Sequence, residues 1–162
     1  MKFLDLLRSI FISPEIVILL IAALLIDHKI GYDVLNTVNL PSAPLWTMIS
    51  AQIFGVAWLV VNNFKFLLFG NNELEKSELI AFPKRFMIYN RIVAGLSWLF
   101  LSIGLTVVGI SMFLGASKYY GLLFCATSIV IYVIDCLTLV FAGFILTDIL
   151  SQNVNDAQAK EK

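Results

Sequence analysis

The sequence predicts an all-α integral membrane protein: a four-transmembrane-helix bundle with a short N-terminal interfacial helix and both termini cytoplasmic. Three observations predict it. Apolar residues make up 60% of the 162-residue chain and charged residues only 14%, against about 45–50% and about 25% in a soluble domain. Mean hydropathy is +0.92, an excess that a water-soluble fold of this size could not hide in its core. The apolar residues also gather into four long runs separated by polar punctuation, each run a candidate span.

Residues 1–13 come first. Phe3, Leu6, Leu7, Ile10 and Phe11 recur at helical spacing while Asp5 and Arg8 point elsewhere, the pattern of an amphipathic helix lying in the membrane interface. The transmembrane domain is read as residues 14–150. Its first span, residues 14–30, opens on Ser13 as N-cap, Pro14 at the first helical position and Glu15 complementing the helix dipole. The apolar centre of that span, residues 16–26, rises only about 16 Å, short of the roughly 30 Å hydrocarbon core. It must draw on flanking residues or thin the bilayer. A signal peptide is disfavoured, because Glu15 abuts the apolar run and no small-residue cleavage site follows.

Gly, Asn and Pro punctuation makes residues 31–43 a loop. The second span is residues 44–63, and the polar segment 64–86 is a cytoplasmic loop with a short helix expected over residues 73–80. The third span is residues 87–114, with Asn90 and Arg91 in its first turns. After a short turn the fourth span, residues 119–147, contains one charged residue, Asp135. Residues 151–162 read as a flexible polar tail.

Orientation follows from the basic residues. With four spans, Lys2, Arg8, Lys65, Lys76, Lys84, Arg85, Arg91, Lys160 and Lys162 share one side, and Lys29 and Lys118 the other. That bias is expected to place both termini and the middle loop in the cytoplasm, in a multi-pass protein of the plasma (bacterial inner) membrane.

Asp135 is the first candidate for chemistry, since a carboxylate inside a membrane helix is costly unless paired, protonated or wetted. Heptad spacing groups it with Cys125, Ser128 and Tyr132. The functional reading is an ion or proton site; the plainer one is a hydrogen bond that packs helices. Arg91 is its charged partner within the chain, with snorkelling to the headgroups as the plainer alternative. Gln52 is expected to reach Ser128 or Asp135. Gly95, Gly104, Gly109, Ser111 and Gly115 place small residues on two neighbouring faces of the third span, for close helix packing or self-association. Lys84 and Arg85, beside Phe82, Phe86 and Tyr89, form a candidate lipid-headgroup patch, or serve topology alone.

Much chemistry is absent. Cys125 and Cys136 lie on one helix, about 16 Å apart in rise, too far for a disulfide. With one His and no CxxC, neither a metal nor another cofactor is expected. Eleven basic and eleven acidic residues cancel, so nucleic acid is not an expected partner. No hydrolase, metalloprotease or nucleotide-binding motif occurs, and a membrane enzyme would need a fuller acid–base cluster than Asp135 with Arg91. The expectation is a non-enzymatic membrane protein that self-associates, conducting ions or perturbing the membrane through the polar seam around Asp135. The alternative is an accessory or assembly subunit of a larger membrane complex, with Asp135 and Arg91 serving helix packing. The expected partners are the lipid bilayer and either further copies of the chain or that complex.

Overall fold

The computed structural model describes residues 13–62 and 82–160. The interfacial helix expected before Ser13, the short helix expected over residues 73–80 and the last two residues lie outside the described residues. Among the described residues five helices follow in order: α1 (Pro14–Asp27), α2 (Tyr32–Asn36), α3 (Ser42–Asn62), α4 (Phe82–Gly115) and α5 (Lys118–Lys160). Three of the described helices contain stretches long and apolar enough to cross a membrane: Ser42–Asn62, Ile88–Gly115 and Lys118–Ile145. They fit a small multi-pass membrane protein. Helix α1, with 14 residues, rises about 21 Å and is shorter than a full crossing.

The fold is built on the antiparallel hairpin of α4 and α5. Its partners across the interface are Gly95 with Leu139, Thr106 with Ser128, Gly109 with Cys125, and Phe113 with Gly121. Each pair is equidistant in sequence from Ser117, which sits in the connecting turn. The two helices therefore stay in step along their contact. Helix α3 packs against α4 and α5, and α1 against α5.

Between α3, α4 and α5 the core forms two apolar clusters. Val56, Leu59, Ile92, Leu96, Leu99 and Leu139 make one. Leu45, Ile49, Ile110, Phe113 and Cys125 make the other. In all three helices the polar residues Gln52, Thr106 and Ser128 fall between the two in sequence. The outer surface is apolar too: Trp46, Phe54, Trp58, Phe100, Phe141 and Phe144 are all more than half exposed, as lipid-facing side chains are. Cys125 and Cys136 are free thiols.

Three boundaries differ from the sequence reading. Residues 32–36, expected within a loop, form the single-turn helix α2, entered through Gly31 in the left-handed region at φ 74°, which glycine adopts without steric cost. Helix α4 begins at Phe82 rather than near residue 87, because Pro83 is tolerated in a first turn, where its missing N–H removes no helical bond. Helix α5 continues to Lys160, through the stretch expected to be a flexible tail. Between residues 144 and 160 the chain has neither Gly nor Pro to stop it.

The end of α1 is fastened by the start of α5. The Tyr119 hydroxyl is 2.6 Å from the Leu25 carbonyl, to which it donates, and 3.2 Å from that of Ile30. The ring is fully buried and packs against Tyr32 and Tyr120. A helix leaves its last carbonyls without intrahelical donors; that of Leu25 accepts the Ile30 backbone N–H and the Tyr119 hydroxyl together. Lys118 Nζ donates to Asn39 Oδ1 in the same region. Helix α1 thus runs beside α5 in the opposite direction, from Asp135 at its start to Tyr119 at its end.

Candidate functional site

At the start of α1 three ionisable side chains from three helices meet. Arg91 Nη2 on α4 lies 2.5 Å from Glu15 Oε1 on α1 and 3.2 Å from Asp135 Oδ1 on α5. Arg91 Nη1 donates to Glu15 Oε2 at 3.2 Å. The guanidinium thus grips Glu15 with two parallel bonds, the geometry that suits arginine and carboxylate best, and spends part of one nitrogen on Asp135. Both carboxylates are fully buried while Arg91 keeps about a quarter of its side chain exposed, at 25%. Local sequence positions each member. Pro14 starts α1 and puts Glu15 in its first turn, where the positive end of the helix dipole also favours an anion. Gly95, one turn beyond Arg91, leaves the space that Asp135 and Leu139 fill: a Cβ there would touch Leu139 Cδ2 at 3.4 Å and Asp135 Oδ1 at 3.6 Å.

A second, uncharged cluster joins α3 to the hairpin. Gln52 Nε2 donates to Ser128 Oγ at 3.1 Å, and Thr106 Oγ1 donates to Gln52 Oε1 at 2.8 Å. Ser128 Oγ donates to the Ser102 carbonyl at 2.7 Å and also meets Thr106 Oγ1. Tyr132 adds a long bond from its hydroxyl to the Gln52 carbonyl, 3.4 Å. Gln52, Thr106, Ser102 and Ser128 are all buried, and in hydrocarbon such groups bond to each other or go unsatisfied. Gln52→Leu removes both side-chain links from α3 and is expected to lower stability by about 1–2 kcal/mol. Unfolding of the purified protein in detergent measures it. A change near zero would mean that the apolar clusters alone hold α3.

The structure brings Asp135 and Arg91 together, and separately Gln52, Ser128 and Tyr132. The small residues of α4 divide. Gly95 and Gly109 are buried against α5, and a Cβ on Gly109 would fall 2.8 Å from Cys125 Sγ and 2.9 Å from the Gly121 carbonyl. Gly104 and Gly115 have open space around them, and Ser111, also exposed, donates to the Val107 carbonyl at 2.9 Å. Lys84 and Arg85 lie in the first turn of α4, with side chains outside the described residues.

Two members escaped the sequence reading. Glu15 had an ordinary explanation as a helix-dipole residue, although it abuts the apolar run of α1 at its N-terminal end. Ser13 does occupy the N-cap position, but its hydroxyl makes no capping bond. Thr106 gave no signal, since a hydroxyl in a membrane helix usually bonds the preceding turn of its own helix. Between α1, α4 and α5 there is also an apolar cleft of about 160 Å³, walled by Leu19, Ala22, Ala23, Ile26, Leu105 and Phe124 among others. Neither Asp135 nor Arg91 lines it. No group of three or more His, Cys, Asp or Glu side chains suited to a metal occurs among the described residues. Comparison with protein families, curated proteins and solved structures gives no match.

Proposed function

We propose that this chain is a non-enzymatic, four-span membrane protein that acts as an assembly subunit, with Asp135 and Arg91 locking its own helices together rather than forming a conduction path. The observation that supports it is the guanidinium of Arg91 engaged by Glu15 of α1 and Asp135 of α5 at once. A charge that serves permeation needs water beside it; these two carboxylates are buried against protein. The fourth span in this reading is α1, read as residues 14–30, with the bilayer thinned around it. Its course from the level of Asp135 to Tyr119 supports a crossing from the cytoplasmic side, with both termini and the loop 64–86 cytoplasmic and the plasma membrane as the location. Other membrane helices would be met by the exposed faces of α3 and α4.

A second reading is self-association. It is favoured by the outward face of α4, where Ser97, Leu101, Gly104, Val108, Ser111 and Gly115 are all exposed at the spacing that lets helices approach closely. A conducting oligomer would belong to this reading. Expression in cells loaded with a membrane-potential dye tests the choice, combined with the mass of the purified particle. The assembly reading expects no depolarisation from wild type or Asp135→Asn, and co-purification of a different membrane protein. Depolarisation that disappears in Asp135→Asn, from a particle holding several copies of this chain alone, would replace it with the conducting oligomer.

A further inference from the structure

Two carboxylates share one guanidinium, and Arg91 does not close the charge count. Both oxygens of Glu15 and Oδ1 of Asp135 receive bonds from Arg91. Asp135 Oδ2 is buried and receives none. Arg91 Nη2 bonds Glu15 Oε1 and Asp135 Oδ1 at once, which sets the two carboxyl groups side by side. Two ionised carboxylates that close repel strongly where the dielectric is low, and the trio would carry one uncompensated negative charge away from water. Among the described residues no second cation reaches them. The other titratable groups nearby are Cys136 and Tyr132 on α5, and the Tyr132 hydroxyl is turned to the Gln52 carbonyl on α3.

A single proton resolves all three difficulties. On Asp135 Oδ2 it satisfies the orphaned oxygen. It converts the contact with Glu15 from a repulsion into a hydrogen bond, and it brings the trio to zero net charge. We propose that Glu15 and Asp135 form an intramembrane proton-binding site, in which Asp135 Oδ2–H donates to Glu15 while Arg91 holds the ionised Glu15. This deepens the packing role given above to Asp135 and Arg91 and rests on it. The proton has a mechanical consequence, because Glu15 is the one fully buried side chain of α1. Dissociation, Asp135–COOH to Asp135–COO⁻ plus H⁺, returns the negative charge and weakens the bond that pins the start of α1 to the hairpin. Attachment is therefore kept while the proton is bound and loosened when it leaves.

Infrared difference spectroscopy on the full chain in lipid nanodiscs, with melting curves at neutral and alkaline pH, tests this. Wild type is expected to show a protonated-carboxyl C=O band at neutral pH that is lost on raising the pH, together with a fall in melting temperature. Asp135→Asn, whose amide N–H stands in for the proton, is expected to lack the band, melt like wild type at neutral pH and be insensitive to alkali. Glu15→Gln leaves Asp135 alone with Arg91, so Asp135 ionises and the band is again absent at neutral pH. Asp135→Ala, with no group to donate, is expected to melt lower than Asp135→Asn. Absence of the band in wild type, or melting of Asp135→Asn as low as Asp135→Ala, overturns the proton site. Arg91→Met separates the two ideas. If it melts like wild type, the packing role itself is wrong; if it melts low but wild type has no band, only the proton assignment falls.

Discussion

Arg91→Met is expected to lower the stability of the bundle by about 3–5 kcal/mol, because it leaves buried carboxyls with no cation. The methionine keeps most of the length and apolar stem of the arginine, so lost packing contributes little. What is lost is the pair of bonds to Glu15 and the link to Asp135. Denaturant or thermal unfolding in detergent measures the difference. The same experiment has an internal control. Adding Glu15→Gln and Asp135→Asn to Arg91→Met makes the trio neutral, and buried charge clusters replaced as a whole often cost nothing. The triple variant should therefore recover most of the loss. If it remains as unstable as Arg91→Met, the defect lies in side-chain volume and not in unpaired charge.

Gly121→Ala carries the second large effect. In a helix interior this change ordinarily gains about 0.8–1.0 kcal/mol. Here the sign should reverse. A Cβ at Gly121 would stand 2.6 Å from Phe113 Cα and 2.5 Å from Phe113 Cβ, and would also strike the Phe113 backbone nitrogen. Backbone cannot swing aside as a long side chain can, so α4 and α5 must separate near their turn. The expected cost is about 1–3 kcal/mol, the range for overpacking a tight core. Gly104→Ala is the matched comparison, since a Cβ there meets nothing within 4 Å; it should cause no loss. Equal melting temperatures for the two alanine variants would show that the hairpin has room the structure denies it.

These two sites differ in how much of them could be read from the chain. Arg91 and Asp135 stand out in any hydropathy reading, because each is a charge in an apolar neighbourhood. The helical class is legible for the same reason, since runs of that length have few alternatives in lipid. Glu15 was hidden by a sufficient local explanation: an acid after Pro14 belongs at a helix start whether or not it has a distant partner. Gly95, Gly104, Gly109 and Gly115 were all legible as small residues, yet two are buried against α5 and two are open. Small residues occupy both candidate faces of α4, so composition could not tell inside from outside. That choice depends on the register of α5, set by pairs centred on Ser117. Thr106 shows the same limit at shorter range, because its hydroxyl can be satisfied within its own helix.

The bond between Glu15 and Arg91 spans 76 residues of sequence, and this imposes an order on biogenesis. A chain is made from its N-terminus, so Glu15 is available to the membrane long before its cation exists. During that interval the carboxylate lacks the partner it has in the folded chain, and burying it unpaired is an expensive state. The hairpin of α4 and α5 has no such delay, since its two strands of contact follow one another across a short turn. Local contacts of that kind close early, and distant ones wait. The seating of the first helix against the hairpin thus follows the synthesis of Arg91, the residue that receives it.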